Sequence, residues 1–396
     1  MLIQILLFLL LGIIAGTFTG LIPGIHVNLI GIFLISLAST NFFLAFNKIY
    51  FVVFIVAMAI THTFIDFIPS IFLGCPDTDT ELSILPGHEL LKKGQGYKAI
   101  VLTCYGSLAA IIIFILLIIP SIIIFPIINE LIKNIIPYIL IGTSIILILI
   151  ERKKLSALFI FLLTGALGFC VLNLNSINQP LLPLLSGLFG SSMLINTIKN
   201  KTQIPPQEIV KPKIKIIRPL LGSIIASPLC GFLPGLGSGQ AAIIGNIISK
   251  TNKEGFLFLI GATNTLVMGF SFIFLYLTSK TRTGAAVAIK EIIEIVSLKE
   301  LIIILFIIPI SGIISFYITI FFAKIFSKKI TKINYTYLSI ITLIILFITI
   351  FLISNFLGII IFIISTITGI YCINTNIKRT NMMGCLLIPT ILYYLI

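Results

Sequence analysis

Two Pro-Gly pairs inside apolar sequence are the residues best suited to chemistry. Pro23-Gly24 follows Gly20-Leu-Ile, and Pro234-Gly235 follows Gly231-Phe-Leu. Proline removes a backbone donor and glycine accepts angles that other residues avoid, so both pairs predict a helix break at membrane depth. The free amides that begin the next half-helix carry partial positive charge and suit an anion.

The side chains around both breaks are small or polar, as a substrate pocket requires. We therefore predict a midplane anion site between the two breaks, with free carbonyls for a coupling cation. Its residues are Gly20, Pro23, Gly24, His26 and Asn28 in the first half and Gly231, Pro234, Gly235, Gly237, Ser238, Gly239 and Gln240 in the second. The alternative is close helix packing through small residues, which is the better explanation for Gly12, Gly16, Ser223 and Ser227.

A second constellation combines Thr61, His62 and Asp66 with Thr263 and Asn264. His62 and Asp66 are four residues apart, so they share one helix face. Asp66 is the only acid inside a long apolar run, and such residues are functional candidates. We predict an ion-coupling role, as a proton relay or as part of a Na⁺ site. The alternative, that His62 merely satisfies Asp66 near the membrane edge, stays open.

A polar loop from Gly74 to Gly94 contains a third group of acids. Asp77, Asp79 and Glu81 have the spacing of a Mg²⁺ site, and a membrane-embedded transferase would use Asp77 and Asp79 with His88. A single D-x-D without a nucleotide-binding fold is a weak motif, so a solvated loop is the favoured interpretation. The sequence has no P-loop, G-x-S-x-G or HExxH, and we expect neither an enzyme nor a resident cofactor.

These residues must be positioned by membrane helices. Of the 396 residues, 59% are hydrophobic and 10% are charged, whereas soluble domains carry about 45–50% and about 25%. The apolar residues form continuous runs, which predicts helices rather than a barrel. The charge of +14 comes from bases between the runs, so it indicates contacts with lipid headgroups and not with nucleic acid. The six cysteines are scattered and predict neither disulfides nor a metal site.

The apolar runs fall into two groups separated by a basic segment. We predict a first membrane repeat at 1–198, a cytoplasmic linker at 199–217 and a second repeat at 218–396, with about 10–14 membrane segments in all. A shift of 211 residues aligns Gly20–Gly24 with Gly231–Gly235. A shift of 202 aligns Thr61-His-Thr63 with Thr263-Asn-Thr265. The fold expected is an all-α polytopic membrane protein with broken helices or re-entrant hairpins.

The distribution of bases predicts that the second repeat is inverted. If the linker, Arg152-Lys-Lys154 and the lysines at 324–332 are cytoplasmic, as the positive-inside rule prefers, then loop 74–97 is inside and its counterpart 280–299 is outside. This is the inverted-repeat layout of many secondary transporters. The first apolar run lacks a basic n-region and is expected to be a retained helix.

The same residues resemble a known family, the large membrane subunit of tripartite tricarboxylate transporters (TctA). The resemblance lies in the Pro-Gly breaks of both halves and in Cys75-Pro-Asp-Thr-Asp-Thr80 leading to Gly87-His-Glu-Leu-Leu-Lys-Lys-Gly94 and Ala99. Family members are longer, carry a Gly-Gly-rich stretch where this chain has His62–Ser70, and have an Asn-Asn-Ala element near Thr281–Ala285. The chain therefore resembles a divergent, compact member.

The resemblance implies a transporter that moves small carboxylates on ion gradients with a small membrane subunit and an extracytoplasmic binding protein. The leading hypothesis is an ion-coupled symporter of a small organic anion, with Na⁺ or H⁺ as the coupling ion, in the cell membrane. A lipid-phosphate flippase, for example for polyprenyl phosphate, is the first alternative, and the Mg²⁺-dependent transferase is the second. Substrate identity and oligomeric state do not follow from the sequence.

Overall fold

The computed structural model describes residues 2–22, 47–74, 80–174, 176–177, 179–200, 204–212, 216–232, 237–281, 283–330 and 335–395. For residues 85, 128–134, 136, 229–232 and 335 it describes the backbone alone. The regular structure within these ranges is helical, and none of the described residues lies in a strand. The all-α prediction is therefore confirmed.

The described residues form helices in both halves of the sequence. In the first half they are α1 (Leu2–Leu21), α2 (Lys48–Ile65), α3 (Phe67–Leu73), α4 (Ile84–Lys92), α5 (Gly96–Leu149), α6 (Lys154–Leu172) and α7 (Leu181–Lys199). In the second half they are α8 (Ile217–Phe232), α9 (Ser238–Ser249), α10 (Lys253–Thr278), α11 (Gly284–Ile293), α12 (Leu298–Ile330), α13 (Tyr335–Thr375) and α14 (Gly384–Leu395). Short 3₁₀ segments precede α4 and α14, at Glu81–Ser83 and Arg379–Met383.

Eight helical segments within the described residues are long and apolar enough to cross a membrane. They are Leu2–Leu21, Lys48–Leu73, Gly96–Ile127, Lys154–Leu172, Leu181–Lys199, Lys253–Thr278, Leu298–Ile330 and Thr336–Thr375. The chain is thus a multi-pass membrane protein. The larger span count predicted from the sequence includes the run at 25–45, which lies outside the described residues.

One pair of apolar runs that the sequence separates is joined in the structure. Runs at 98–127 and 132–150 form the single 54-residue helix α5, because the polar residues between them, such as Asn129 and Glu130, do not interrupt a helical backbone. Runs at 335–353 and 355–373 form two helical stretches of α13 that meet at a kink at Asn355, where φ is 58° and ψ is −165°. Residues other than glycine rarely adopt these angles, so the kink divides α13 at the place that separates the two apolar runs.

The helices form two compact units that do not follow the sequence halves. Unit 1 comprises residues 1–68, 100–130 and 212–323, and unit 2 comprises 69–99, 131–211 and 324–396. Each unit therefore contains segments from both predicted repeats. The duplication itself, with boundaries at 198 and 218, stays a prediction about the origin of the sequence.

In unit 1, α1 packs against α2 through the small residues that the sequence places four apart. A Cβ added to Gly12 would lie 2.5 Å from the carbonyl oxygen of Phe54, and one added to Gly20 would lie 2.9 Å from Cβ of Ile65. Gly16 meets the carbonyl of Met58 in the same way. These three glycines allow close contact between two backbones, which is the packing role expected of Gly12 and Gly16, whereas Gly20 was proposed for substrate binding.

In the second half, α8 packs against α9 and α10. Ser223 and Ser227 on α8 are fully buried. Gly222 faces the carbonyl oxygen of Gly245 on α9, 2.5 Å from an added Cβ. Helix α10 also crosses α5, where Ser107 donates a hydrogen bond of 3.0 Å to the carbonyl of Gly261.

In unit 2, two helix crossings use small residues at corresponding places in the two halves. Gly369 of α13 faces the carbonyl of Leu188 on α7, and Gly168 of α6 faces the carbonyl of Cys385 on α14. The α7 side of the first crossing is π-helical over Ser186–Ser191. Each crossing joins a helix of one half to a helix of the other.

The described part of the linker is held against unit 2. The side-chain amide of Gln207 accepts from the backbone N–H of Gly96 at 2.7 Å and donates to the carbonyl of Leu91 at 3.1 Å. The backbone N–H of Glu208 donates to the carbonyl of Gly94 at 2.7 Å. Gly94 has φ +77°, and an added Cβ would lie 2.8 Å from the carbonyl oxygen of Pro206. This explains why the family-like motif has glycine at this position.

Candidate functional site

Helices α2 and α10 are the most deeply buried spans of the described residues, and they carry the predicted ion-coupling side chains. Asn47 caps the start of α2 by accepting from the N–H of Ile49 at 3.0 Å. Asp66 ends the helix, with its own N–H donated to the carbonyl of His62 at 3.0 Å. Asn252 caps α10 by accepting from the N–H of Gly255 at 2.8 Å.

Polar side chains from four helices of unit 1 meet along these two spans and form what we call the polar cluster. All of its members are at most 4% exposed. They are Thr19 on α1, Thr61, His62, Thr63 and Asp66 at α2, Thr263, Asn264 and Thr265 on α10, and Ser315 on α12.

Asp66 is the charged centre of the polar cluster and receives a hydrogen bond from the other half of the chain. The side-chain amide of Asn264 donates to Oδ2 of Asp66 at 3.0 Å. Asp66 is 3% exposed, so its carboxylate lies within the protein interior of a membrane-spanning segment. A carboxylate is costly to bury unless it is hydrogen-bonded or meets a cation.

Three further hydrogen bonds link the helices around Asp66. Nδ1 of His62 lies 3.0 Å from Oγ1 of Thr19, and Oγ1 of Thr63 lies 3.2 Å from Oγ1 of Thr265. The hydroxyl of Ser315 donates to Oγ1 of Thr61 at 2.8 Å. The structure thus joins α1, α2, α10 and α12 through hydroxyl, imidazole, amide and carboxylate groups.

The structure brings together the two predicted halves of the ion-coupling set at Asp66 and Asn264. It gives Thr263 a local role, since its hydroxyl donates to the carbonyl of Leu259 at 2.6 Å. Sequence reasoning did not include Thr19, Thr63, Thr265 or Ser315 among the candidates. Ser315 could have been found from a sequence pattern, because the hydroxyl residues Ser311, Ser315 and Thr319 recur every four residues inside an apolar run.

Pro23, Gly24, His26, Asn28, Pro234 and Gly235, which form or follow the two predicted breaks, lie outside the described residues. Helix α1 ends at Leu21, two residues before Pro23, and α8 is described as far as Phe232, two residues before Pro234. Gly20 packs against α2, and a Cβ added to Gly20 would lie 3.2 Å from the backbone nitrogen of Asp66. Gly231 lies in the last turn of α8.

The residues after the second break begin the short helix α9. Gly237 is its N-cap, with an extended backbone, and Oε1 of Gln240 accepts from the N–H of Gly237 at 2.9 Å. Ser238 and Gln240 are each 2% exposed, and Gly239 lies beside them in the first turn. Helix α9 therefore starts in buried surroundings three residues after Gly235, and the helix break at Pro234-Gly235 stays a prediction.

The polar loop of the sequence belongs to unit 2. Asp77 and Asp79, which the transferase alternative requires, lie outside the described residues. His88 is fully buried, and an added Cβ on Gly74, which has φ +68°, would lie 3.1 Å from Nε2 of His88. Among the described residues, no three His, Cys, Asp or Glu side chains form a group that could hold a metal ion.

Chemically, the polar cluster offers oxygen ligands and one buried carboxylate. Hard cations such as Na⁺ prefer carboxylate, carbonyl and hydroxyl oxygens, and a carboxylate beside an imidazole can exchange a proton. The cluster therefore suits cation binding or proton exchange inside a membrane. It offers no activated nucleophile among its described members.

Comparison with known proteins places these features in a family context. The model of the tripartite tricarboxylate transporter TctA family matches residues 6–384. An uncharacterized protein of Methanocaldococcus jannaschii is 34% identical over 402 aligned positions, which cover 98% of this chain and 99% of the relative. No solved structure matches the chain.

Proposed function

The chain belongs to the tripartite tricarboxylate transporter TctA family, and from that premise we propose that it couples the movement of a small carboxylate to a cation gradient. The family is one of transporters and not of enzymes, so the chain is a membrane subunit of a transporter. The family resemblance expected from the sequence is confirmed. The substrate, the coupling ion and the mechanism are the proposal.

The observation that carries the cation half of the proposal is the Asp66–Asn264 hydrogen bond of 3.0 Å at the contact of α2 and α10. Asp66 is a buried carboxylate that connects the two halves of the chain through this hydrogen bond, so a change in its charge affects both halves. Cation binding or protonation at Asp66 makes that change. The other side chains of the polar cluster supply the remaining oxygen ligands for a bound cation. Ionisable groups within a membrane are typically part of ion pathways.

The anion half of the proposal rests on the helix ends beside the two Pro-Gly pairs. Helix α1 ends two residues before Pro23, and α9 begins three residues after Gly235. Half-helix N-termini that meet near the midplane attract anionic groups, and alternating access then moves the repeats around the bound substrate. The substrate-binding residues remain those proposed from the sequence, from Gly20 to Asn28 and from Gly231 to Gln240.

Partner subunits are also part of the proposal. Tripartite systems of this family contain a small membrane subunit and a binding protein outside the membrane. We propose that this chain works with both and that the extracytoplasmic protein delivers the carboxylate. Pull-down of the full chain from its native membranes, followed by identification of a small membrane protein, tests this assembly.

The decisive experiment compares Asp66→Asn with Glu151→Gln in proteoliposomes that contain the full chain together with the small membrane subunit and the binding protein that co-purify with it. Glu151 is a matched control, because it too is a buried carboxylate that accepts from an asparagine amide, that of Asn381 at 3.3 Å, but it lies in unit 2. We expect Asp66→Asn to lower cation-driven citrate or succinate uptake about tenfold or more, since a charged hydrogen bond contributes about 1.5–3 kcal/mol. Glu151→Gln should keep the wild-type cation dependence.

Two results would contradict the proposal. One is full uptake by Asp66→Asn with an unchanged dependence on Na⁺ and on pH. The other is movement of lipid phosphate across the bilayer without any carboxylate uptake, which would favour the flippase alternative. Uptake measured with a Na⁺ gradient alone and with a pH gradient alone identifies the coupling ion.

A further inference from the structure

Arg379 is a cation buried in unit 2. It opens the 3₁₀ segment before α14, and 7% of its surface is exposed. Its neighbour Lys378 is 60% exposed at the side chain. Burying a guanidinium costs several kcal/mol unless an anion or several acceptors surround it. The charge at position 379 therefore calls for a physical explanation.

The partners of Arg379 are neutral. Nη1 donates to the carbonyl oxygen of Phe189 at 3.2 Å, and Nη2 donates to the sulfur of Met193 at 3.4 Å. A guanidinium has five N–H donors, so these two weak contacts leave most of its capacity unused. Among the described residues, Arg379 forms no ion pair with a carboxylate. Glu151 instead accepts from Asn381 and lies 4.0 Å from the ammonium of Lys378.

The helix that receives Arg379 is irregular at the point of contact. Phe189 lies in the π-helical segment Ser186–Ser191 of α7, and π-helical segments are frequent at functional sites. Helix α13 also contacts this segment, with Thr366 hydrogen-bonded to Ser191 at 2.5 Å. The guanidinium thus contacts α7 at its π-helical segment.

Several buried polar atoms on the same elements have no hydrogen-bond partner among the described residues. They are Oγ1 of Thr197 on α7, Oγ of Ser365 on α13 and Oδ1 of Asn381 in the 3₁₀ segment. Buried polar atoms normally find a partner, and unpaired ones commonly mark a place for water or a ligand. Asn381 lies two residues after Arg379 in the same 3₁₀ segment, so its Oδ1 is the unpaired atom that bears on the surroundings of Arg379.

His88 and Arg379 both have shifted pKa values. Burial lowers the pKa of His88 to about 3, with further lowering by Lys92 and by Arg379. His88 is therefore a neutral imidazole at physiological pH. Burial also lowers the pKa of Arg379 to about 10, which leaves the guanidinium protonated at neutral pH.

We propose that Arg379 is the cationic anchor of an anion-binding site in unit 2 that takes a carboxylate group of a small organic acid. The planar guanidinium matches a carboxylate in two parallel hydrogen bonds. A bound carboxylate would neutralise the buried charge, which the described protein groups leave unpaired. The assignment of a carboxylate, rather than another oxyanion, rests on the proposed function.

The test measures citrate binding to the purified full chain in phosphatidylcholine nanodiscs, by thermal unfolding in potassium citrate and in potassium chloride of equal ionic strength. A ligand that binds only the folded state raises the unfolding temperature. Arg379→Gln is compared with Lys378→Gln. The second variant also removes one positive charge, but from the exposed side chain of the preceding residue. We expect citrate to raise the unfolding temperature of wild type and of Lys378→Gln relative to chloride, a rise that we call the citrate shift. In Arg379→Gln we expect citrate binding to be at least about tenfold weaker, equivalent to about 1.4 kcal/mol.

A second variant separates a binding role from a structural one. Without citrate, Arg379→Met should be at least as stable as wild type, because an unpaired buried charge is replaced by an apolar chain of similar length. Marked destabilisation of Arg379→Met without citrate would overturn the proposal, as would an unchanged citrate shift in Arg379→Gln. A response to phosphatidylglycerol nanodiscs alone would assign the site to lipid headgroups and overturn it too.

The same assay distinguishes this inference from the proposed function. Asp66→Asn should retain the citrate shift, because Asp66 lies in unit 1 and its proposed role is with the cation. If Asp66→Asn shows normal uptake and Arg379→Gln loses the citrate shift, the cation proposal is contradicted and the anion site stands. If Arg379→Gln keeps the full citrate shift, the anion site is contradicted and the cation proposal stands.

Discussion

At the scale of single residues, the most informative contact joins two residues that the sequence aligns with each other. Thr63 and Thr265 are equivalent at the shift of 202 residues, and their hydroxyl oxygens are 3.2 Å apart. A residue that contacts its own copy lies close to the axis that relates the copies. This is the contact expected of a duplicated helix pair, and the inverted repeat itself stays a prediction.

His88 provides a residue-scale prediction on pH. Its pKa is about 3 in the folded protein and 6.5 in its ordinary range, with burial as the main cause. Unfolding therefore takes up a proton below about pH 6.5, so the stability from neutral His88 is present above that pH and is lost as pH falls toward 3. We expect His88→Gln to reduce the slope of unfolding free energy against pH by up to about 1.4 kcal/mol per pH unit between pH 4 and 6.

Denaturation of both proteins in the same detergent, at pH 4 to 8, measures this difference. The comparison with wild type removes the contribution of the acids that titrate in the same range. Parallel stability curves for the two proteins would contradict the prediction.

At the scale of elements, the glycines decide how closely helices approach. Where α5 crosses α10, an added Cβ on Gly261 would overlap the carbonyl oxygen of Thr103, and one on Gly106 would overlap that of Phe258. Gly142 lies in α5 too, but an added Cβ there meets nothing within 4 Å. The three glycines look alike in sequence and differ only in what faces them.

Gly261→Ala and Gly142→Ala should therefore have opposite effects. We expect Gly261→Ala to destabilise the protein by about 1–3 kcal/mol, because the two backbones must move apart. Gly142→Ala should be neutral or stabilising by up to about 1 kcal/mol, since alanine is the better helix former. Thermal unfolding of both variants in detergent provides the measurement. Equal effects of the two substitutions would contradict the close approach of the α5 and α10 backbones.

At the scale of the whole molecule, the two compact units cut across the two predicted repeats. Residues 131–211 and 324–396 share unit 2, for example, although they come from different halves. The basic linker is not a free tether over 204–212, since Gln207 and Glu208 hydrogen-bond to the turn between α4 and α5. The linker thus contributes to the packing of unit 2.

Membrane topology is the prediction that belongs to this scale. If the second repeat is inverted, the linker is cytoplasmic and loop 280–299 faces outward. In a chain whose native cysteines are replaced, Lys211→Cys should react with a membrane-impermeant maleimide only after the membrane is opened. Ser297→Cys should react in intact cells. Labelling of both positions from the same side would contradict the inverted repeat.

Part of this molecule could be read from its sequence because bilayer physics leaves few choices. Continuous apolar runs must form helices in lipid, where every backbone polar group needs an internal partner. Proline followed by glycine disfavours a continuing helix, and α1 ends at Leu21, two residues before Pro23-Gly24. The charge patterns and the Pro-Gly motifs can also be recognised within short stretches of sequence. The family resemblance that depended on the Pro-Gly motifs was confirmed.

Only the tertiary structure decided which residues meet. Asp66 and Asn264 are 198 residues apart, and nothing in either local sequence names the other as its hydrogen-bond partner. Apolar residues that face lipid and those that face protein look alike, so burial at α2 and α10 became visible only in the packed molecule. The buried charge of Arg379 has the same cause: the sequence places it in a short polar connection, and the packing of α7 and α13 removes it from water.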